Sequence, residues 1–418
     1  MAFAAPFSCS LLCFSPTNLS KTFLRPFNGN PTSNLCTTQR LLGRGIRNGR
    51  RYTEIIGVSE SSSFLGSNEP AIKASGLGRD DGEELSKATL LWRAVKLPIY
   101  SVALVPLTVG GAAAYLQTGF FAARRYLVLL LASASIITWL NLSNDVYDYD
   151  TGADKDKKES VVNIFGSRGM TLYAAFAFLA FGFVGLVFAS IEAGSIVSIM
   201  LLTGATMCGY AYQCPPFRLG YLGLGEPLCF IAFGPLATTA FYLSQRNKSV
   251  TVLLPLNGTV LSAAILVGIT TSLILFCSHF HQIEGDLAVG KMSPLVQIGT
   301  EKGSKVVKFS ILILYSFLFV LGALRALPLT CVVLCTLTLP IGKLVVDYVQ
   351  DNHNDKTKIF MAKYYCVRLH ALFGIALAIG LAMARRMAHF LNEGTRRSFV
   401  FRGSTWFLPF LLEFFRGT

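Results

Sequence analysis

Residues 125–156 have the sequence RYLVLLLASASIITWLNLSNDVYDYDTGADKD, an apolar run that ends in a cluster of amide and carboxylate side chains. The run up to Ser143 is about one membrane span long, since about 20 apolar residues cross the hydrocarbon core as a helix. It lacks the strict alternation of a barrel strand. This stretch therefore predicts a membrane helix with ionisable groups at one end.

The whole chain has the composition of a membrane protein. Of its 418 residues, 52% are hydrophobic and 14% are charged, and its mean hydropathy is +0.52. Soluble domains carry roughly 25% charged residues, so the composition argues against a soluble globule. We predict an all-α integral membrane fold of about nine transmembrane helices. The apolar segments are 97–117, 125–143, 171–190, 194–212, 226–244, 259–278, 308–325, 328–346 and 366–385.

We predict that the membrane domain covers residues 92–386. The two ends of the chain differ from it in composition. Residues 1–53 hold seven of the 37 basic residues and no acidic one, and they are rich in Ser and Thr. This composition predicts an organellar transit peptide, chloroplast rather than mitochondrial because amphipathic periodicity is poor, with a disordered basic arm as the alternative. Because half of the net charge of +14 lies in this segment, we predict no nucleic-acid partner. Residues 54–91 are predicted to be a disordered linker, and residues 387–418 a disordered or interfacial tail.

Counting the spans places the connections after spans 2, 4, 6 and 8 on one side of the membrane. These connections are long and hold most of the basic loop residues, including Arg218 and Lys291. By the positive-inside rule they face the compartment from which the protein is inserted. In a chloroplast membrane that compartment is the stroma.

The connection after span 2 carries the first candidate site. If the helix continues past Asp145, the side chains of Asn144, Asp145 and Asp148 lie within one turn and their oxygens converge. Clustered carboxylates repel one another unless a cation lies among them, and all-oxygen ligands suit Mg²⁺. Magnesium completes its shell with water and phosphate oxygens, so the expected ligand is a diphosphate. The alternative is a solvated acidic loop or helix cap.

The connections after spans 6 and 4 add polar groups on the same side. Glu284 and Asp286 supply carboxylates, and Lys291 is placed to reach a phosphate as a point charge. His279 and His281 flank the end of span 6, where an interfacial hydrogen-bonding role is the alternative to a direct one. After span 4, Arg218 offers a bidentate fork for phosphate or carboxylate, and the neighbouring tyrosines, Tyr212 and Tyr221, are either site residues or interfacial anchors.

Taken together, these connections resemble the UbiA superfamily of membrane prenyltransferases. The pattern of that superfamily is an Asn-Asp-x-x-Asp motif after the second span, here at residues 144–148, and a second acid-rich motif after the sixth span. The resemblance covers about residues 92–386. It implies nine helices around a central cavity that opens to the membrane, with the two motifs capping the cavity.

Three further features look like the naphthoate branch of the superfamily. They are the spacing of Asp154, the turn Tyr221-Leu-Gly-Leu-Gly-Glu226 and the Gly290-Lys291 pair. One feature departs from the pattern, because Gln282 stands where many relatives have an Asp that opens the second motif. Either Glu284 and Asp286 hold the second ion, or the ion is bound differently.

The resemblance implies Mg²⁺-dependent transfer of a phytyl group from phytyl diphosphate to 1,4-dihydroxy-2-naphthoate, with loss of the carboxylate, in phylloquinone biosynthesis. Lys291 and Arg218 are the expected catalytic residues, which take up negative charge as the donor bond breaks. The expected metal ligands are Asn144, Asp145, Asp148 and Asp154 for one ion, and Glu284 and Asp286 for a second. The expected substrate-binding residues are Lys96, Tyr212, His279, His281 and Gln282.

Lys96 has two interpretations. It precedes span 1, where its ammonium group is placed to pair with the carboxylate of the naphthoate. An interfacial lysine that snorkels to the membrane surface is the alternative.

Other functions remain open at this point. A plastid prenyltransferase of the same fold that acts on homogentisate or a chlorophyllide is one alternative. A cation-coupled transporter is an alternative of another class, although the carboxylates lie at span ends rather than within the spans. A non-catalytic assembly factor is a third, with no positive feature in its favour.

Overall fold

The computed structural model describes residues 96–152, 160–246 and 258–400, with side chains through residue 390. Every regular element within these ranges is a helix, which confirms the predicted all-α class. The transit peptide and linker predicted for residues 1–91 lie outside the described residues, as do Asp154 and residues 401–418 of the predicted tail.

Thirteen helices in the described ranges carry the fold, if the unbroken run Gly225–Gln245 is counted as one. Short 3₁₀ turns precede the first helix at Leu97–Tyr100 and the sixth at Leu219–Leu222. The helices are α1 (Ser101–Thr118), α2 (Ala123–Thr151), α3 (Val161–Phe165), α4 (Arg168–Ala193), α5 (Ile196–Gln213), α6 (Gly225–Gln245), α7 (Gly258–Ser278), α8 (Ile283–Ala288), α9 (Pro294–Ala323), α10 (Leu329–Thr336), α11 (Leu339–Asn352), α12 (Lys356–Ile359) and α13 (Ala362–Val400).

The number of spans agrees with the prediction of about nine. Eight helical segments in the described chain are long and apolar enough to cross a membrane. Helices α10 and α11, which are bent by 44° at a short break, bring the number to nine if the bent pair counts as one span. Each predicted apolar segment overlaps one of these spans.

Three helices extend well beyond the predicted apolar segments. Helix α2 continues from residue 143 to Thr151, and α9 begins at Pro294 rather than at 308, with a kink where Gly299 has a φ of 79°. Polar residues continue a helix outside the hydrocarbon core, so hydropathy alone underestimates its length. Helix α13 likewise continues past the predicted domain boundary at 386 to Val400.

Close packing of the helices depends on small residues at their crossings. A Cβ atom on Gly110 of α1 would lie 2.7 Å from the carbonyl oxygen of Thr238 and 2.8 Å from the backbone nitrogen of Tyr242, both in α6. A Cβ atom on Gly182 of α4 would lie 2.9 Å from the carbonyl oxygen of Ala132 in α2. In membranes, such small residues let helix backbones approach closely.

Replacing Gly110 with valine should destabilise the protein by about 1–3 kcal/mol, because the neighbours of the new side chain are backbone atoms that cannot rotate away. The change should appear as a lower melting temperature of the purified protein in detergent. Gly169→Ala in α4 is the matched control, because a Cβ atom there meets nothing within 4 Å. Equal melting temperatures for the two variants would show that the α1–α6 crossing tolerates a side chain.

The outer face of the bundle is apolar, as a lipid-facing surface requires. Helix α4 exposes a row of large side chains, among them Tyr173, Phe181 and Ile191. A soluble monomer rarely exposes so large a contiguous apolar patch. The exposed face of α4 therefore fits contact with lipid.

Candidate active site

The connections after the even-numbered spans meet at one end of the bundle. The hydroxyl of Thr151, at the end of α2, lies 3.1 Å from the hydroxyl of Tyr221 in the α5–α6 connection. The backbone N–H of Met292 in the α8–α9 connection donates to the carbonyl oxygen of Tyr221 at 2.8 Å. Lys356, after α11, pairs with Glu284 of α8. Both acidic motifs therefore lie at the same end of the helices.

The first acidic motif is helical, as predicted, because α2 extends to Thr151. Asn144 and Asp148 are one turn apart, and Asn144 Nδ2 donates to Asp148 Oδ2 at 2.6 Å. Tyr221 donates its hydroxyl to Asp148 Oδ1 at 3.5 Å. Burial raises the pKa of Tyr221 above its ordinary value, so this hydroxyl stays protonated as a donor. Asp148 is thus held from two sides.

Asp145 makes different contacts from its neighbours in the motif. Its side chain is 1% exposed, and its Oδ1 lies 3.1 Å from Lys96 Nζ. Its Oδ2 accepts the backbone N–H of Val161, at the start of α3, at 3.0 Å. The structure therefore directs Asp145 to Lys96 and α3, whereas Asn144 and Asp148 pair with each other. Metal binding by Asp145 stays a prediction, as does pairing of Lys96 with the carboxylate of the naphthoate.

The second acidic motif divides between two faces of α8. Asp286 is buried and its Oδ1 lies 3.1 Å from Lys291 Nζ. Glu284 is 77% exposed and pairs with Lys356 at the surface. Residues two apart on a helix do not face each other, which explains why these carboxylates separate. The structure thus brings Asp286, and not Glu284, into the interior.

The remaining predicted residues of the second motif lie close by. His279 is buried, and its Nδ1 lies 3.0 Å from Glu226 Oε1. The ring of His281 packs edge-on against Phe360, with centroids 4.9 Å apart. Gln282 is half-buried, and its backbone carbonyl oxygen accepts the backbone N–H of Asp286 at 2.7 Å.

Tyr212 lies near the end of α5 and contacts the connection from α5 to α6. Its ring is in contact with Gly220 and Gly225, where an added Cβ atom would come within 2.8 Å of it. Tyr212 therefore packs against the turn that follows the fourth span.

Arg218 contributes positive charge at the edge of this site. Its guanidinium carbon lies 5.7 Å from the ring centroid of Tyr147 and 5.6 Å from that of Tyr221. Stacking on two rings positions the guanidinium without using a carboxylate partner. Arg168 differs in this respect, because it forms a two-pronged pair with Asp150 at 2.7 Å.

An apolar cavity of about 370 Å³ lies beside the first motif. Asn141 and Thr138 of α2 are on its wall, and Val161, which donates to Asp145, is also part of it. A second cavity of about 70 Å³ lies deeper, between α2, α5 and α6. The other residues around the larger cavity are Tyr100, Leu142, Phe165, Met170, Thr171, Ala174 and Phe178.

This arrangement of helices and motifs is that of a known family. The UbiA prenyltransferase family matches residues 103–367, which is more than half of the chain. The chain belongs to the UbiA prenyltransferase family. The family predicted from the three connections is thereby confirmed, and an enzyme is favoured over the transporter and assembly-factor alternatives.

Two curated UbiA relatives are similar over most of their own length. One is the chloroplastic 2-carboxy-1,4-naphthoquinone phytyltransferase of Arabidopsis thaliana, which is 66% identical over 72% of this chain and 79% of that protein. The other is 2-carboxy-1,4-naphthoquinone phytyltransferase of Synechocystis, which is 42% identical over 70% of this chain and 94% of that protein. A solved UbiA homolog from Aeropyrum pernix K1 shares the fold at 13% identity, with a TM-score of 0.51 over 68% of this chain and 98% of that one.

The donors at this UbiA site suit a hard cation. Asp148 and Asp286 offer carboxylate oxygens, and Asp286 Oδ2 is buried with no hydrogen-bond partner among the described residues. Within the described ranges, no three His, Cys, Asp or Glu side chains are grouped as a complete metal site. Water and substrate oxygens would therefore complete the shell, which is the coordination that Mg²⁺ prefers. The residues present thus fit Mg²⁺ held jointly with a diphosphate.

Glu226 belongs to the site through His279, although neither acidic motif of the sequence includes it. It lies outside both acidic motifs, in the first turn of α6. Its signal in the sequence is a carboxylate at the beginning of an apolar span, where ionisable groups tend to mark function. Its partner His279 is 53 residues away, so only the fold reveals the pair.

Proposed function

We propose that the chain transfers a phytyl group from phytyl diphosphate to 1,4-dihydroxy-2-naphthoate in phylloquinone biosynthesis, in a chloroplast membrane. The observation that carries this proposal is the link from Asp148 through Tyr221 to Met292, which puts both acidic motifs beside one another. The names of the two relatives supply the phytyl group and the carboxylated naphthoquinone skeleton, and the diphosphate of the donor is inferred from the acidic motifs. The first 53 residues would act as the transit peptide, and the loops after the even spans would face the stroma.

The site would bind the diphosphate of the donor between its two motifs. Asp148 with Asn144 on one side and Asp286 on the other would hold Mg²⁺, which when bound supplies positive charge to the diphosphate. Lys291 and Arg218 would take up the negative charge that develops on the leaving group. Asp286 keeps Lys291 in place through the 3.1 Å ion pair.

The proposed reaction is balanced without an oxidant or reductant. The allylic C–O bond of the donor breaks, and its electron pair leaves with the diphosphate. The ring carbon that bears the carboxylate supplies the electrons of the new C–C bond. The bond from this carbon to the carboxylate then breaks, its electrons return to the ring, and CO₂ leaves.

The redox state of the acceptor follows from this chemistry. The relatives are named for the quinone form of the acceptor. A quinone ring is electron-poor, whereas two hydroxyl groups make the ring a good nucleophile for an allylic cation. We therefore propose that the dihydroxy form is the one that reacts.

Lys96 and the neighbouring cavity would receive the apolar substrates. Lys96 is 29% exposed, and its ammonium group has donors beyond the one that meets Asp145. It would pair with the carboxylate of the naphthoate while Asp145 holds it in place. The apolar wall of the 370 Å³ cavity would exclude water from the cation.

Product analysis tests this function. Membranes that contain the protein would be incubated without oxygen with Mg²⁺, phytyl diphosphate and one acceptor at a time. Mass spectrometry should find a phytylated, decarboxylated product with 1,4-dihydroxy-2-naphthoate, and far less with homogentisate, a chlorophyllide or the quinone form. Preferred prenylation of homogentisate or the chlorophyllide would contradict the acceptor assignment. Geranylgeranyl diphosphate in place of phytyl diphosphate measures the selectivity for the donor.

A further inference from the structure

The cavity of about 370 Å³ beside the first motif has a mainly apolar wall. Four polar side chains of the described chain interrupt this wall, those of Tyr100, Thr138, Asn141 and Thr171. The hydroxyls of Tyr100 and Thr138 lie 2.9 Å apart, and Thr171 Oγ1 donates to the carbonyl oxygen of Ser167 at 3.0 Å. These three hydroxyls therefore have partners within the protein.

Asn141 differs from the other three polar residues of the wall. Its amide nitrogen is shielded from solvent and has no hydrogen-bond partner among the residues that the structure describes. A shielded polar group without a partner costs free energy. The amide turns readily about the last bond of the side chain, so either its nitrogen or its oxygen can face the cavity. Asn141 therefore offers a donor or an acceptor to a molecule in the cavity.

Asn141 lies on the same face of α2 as the ion pair of the first motif. Thr138, Asn141 and Asp145 follow one another at intervals of three and four residues, so their side chains project from one side of the helix. Asp145 Oδ1 lies 3.1 Å from Lys96 Nζ, and Val161 of the cavity wall donates its backbone N–H to Asp145 Oδ2 at 3.0 Å. Asp145 is one helical turn from Asn141, or about 6 Å along the axis.

This spacing suits two separate groups of the proposed acceptor. In 1,4-dihydroxy-2-naphthoate the 1-hydroxyl is next to the carboxylate and donates to it within the molecule. The 4-hydroxyl lies at the opposite side of the ring and needs an external partner. With the carboxylate at Lys96, the hydroxyl that reaches Asn141 is therefore the 4-hydroxyl.

We propose that Asn141 binds the 4-hydroxyl of the aromatic acceptor and thereby selects and orients it. Lys96 holds the carboxylate and Asn141 holds the far side of the ring. Because Lys96 lies at the first motif, this orientation turns the ring carbon that bears the carboxylate toward the donor. The inference rests on the proposed function for the identity of the acceptor and the role of Lys96.

Binding of the acceptor without a donor tests the proposal. The purified full chain in detergent would be titrated in a calorimeter, without oxygen, with 1,4-dihydroxy-2-naphthoate and with 1-hydroxy-2-naphthoate, which lacks the 4-hydroxyl. The wild-type protein should bind the dihydroxy acid about threefold to tenfold more tightly, as expected for one neutral hydrogen bond. Asn141→Leu should bind both acids equally, because leucine has a similar size but cannot bond a hydroxyl. Equal wild-type affinities, or an undiminished preference in Asn141→Leu, would overturn the proposal.

Thermal unfolding separates this role from a structural one. Asn141 has no partner among the described residues, so Asn141→Leu should melt at the wild-type temperature or above. A clearly lower melting temperature would mean that Asn141 supports the fold, which contradicts the proposal. Asn352→Leu is the matched control, because the amide of Asn352 donates to the carbonyl oxygen of Tyr348 near the end of α11. This control should keep the full preference for the dihydroxy acid.

A second variant keeps the test decisive if Asn141→Leu does not give a monodisperse protein. The side chain in Asn141→Ser is too short to reach the ring, so this variant should also bind both acids equally, and a preserved preference would contradict the proposal. Failure of the proposed function gives a different result. A wild-type protein that binds neither acid would contradict the acceptor and this inference together, whereas a preference that both variants retain would contradict the role of Asn141 alone.

Discussion

Replacing Asp148 with asparagine should lower the kcat of phytyl transfer by about two to three orders of magnitude, the usual loss when one charge-stabilising group is removed from an active site. Asp148 is the carboxylate of the first motif that Asn144 and Tyr221 hold in place. Asparagine preserves these contacts in shape but removes the negative charge that a cation requires. The expected loss is therefore in catalysis, with little change in melting temperature.

Asp150→Asn is the control for this experiment. Asp150 lies on the same helix two residues further on, where it pairs with Arg168 near the surface. Its substitution removes the same charge, yet turnover should stay within about threefold of the wild-type value because surface ion pairs contribute little. Initial rates would be measured over a range of Mg²⁺ concentrations in matched membranes. Near-normal turnover in Asp148→Asn would remove Asp148 from the metal site.

Replacing Lys96 with methionine should destabilise the protein by about 3–5 kcal/mol, because it leaves a buried carboxylate without its counter-charge. Asp145 is almost fully buried, and among the described residues it keeps one partner after the change, the backbone N–H of Val161. The double variant Lys96→Met with Asp145→Asn should regain most of this loss, because no uncompensated charge remains. Thermal unfolding of the three variants in the same detergent measures the coupling energy.

The same set of variants decides between two roles of Asp145. If Asp145 mainly holds Lys96, Asp145→Asn should lower stability and raise the KM for the naphthoate, with a smaller effect on Mg²⁺ dependence than Asp148→Asn. If Asp145 is a metal ligand, its substitution should resemble Asp148→Asn. A double variant no more stable than Lys96→Met alone would show that the pair is not coupled.

The membrane spans and the helical conformation of the first motif could be predicted from the sequence. Runs of about 20 apolar residues have few alternatives to a membrane helix, because the backbone must satisfy its own hydrogen bonds in lipid. The pairing of Asn144 with Asp148 follows from helical spacing of four residues, once the helix is taken to continue beyond the apolar run.

Contacts between distant parts of the chain could not be predicted in this way. Lys96 meets Asp145 across 49 residues, and Glu226 meets His279 across 53. Their proximity depends on how the helices pack, which hydropathy does not encode. The outward direction of Glu284 was also hidden, because α8 has six residues and is too short to show a periodic apolar face.

A structure of the protein with Mg²⁺ and an unreactive thiolo analogue of phytyl diphosphate, determined by electron cryo-microscopy, would show where the headgroup binds. We expect the diphosphate between Asp148 and Asp286, within reach of Arg218 and Lys291, with cation density joining it to both motifs. A diphosphate bound elsewhere, or in contact with one motif and remote from the other, would contradict the shared site.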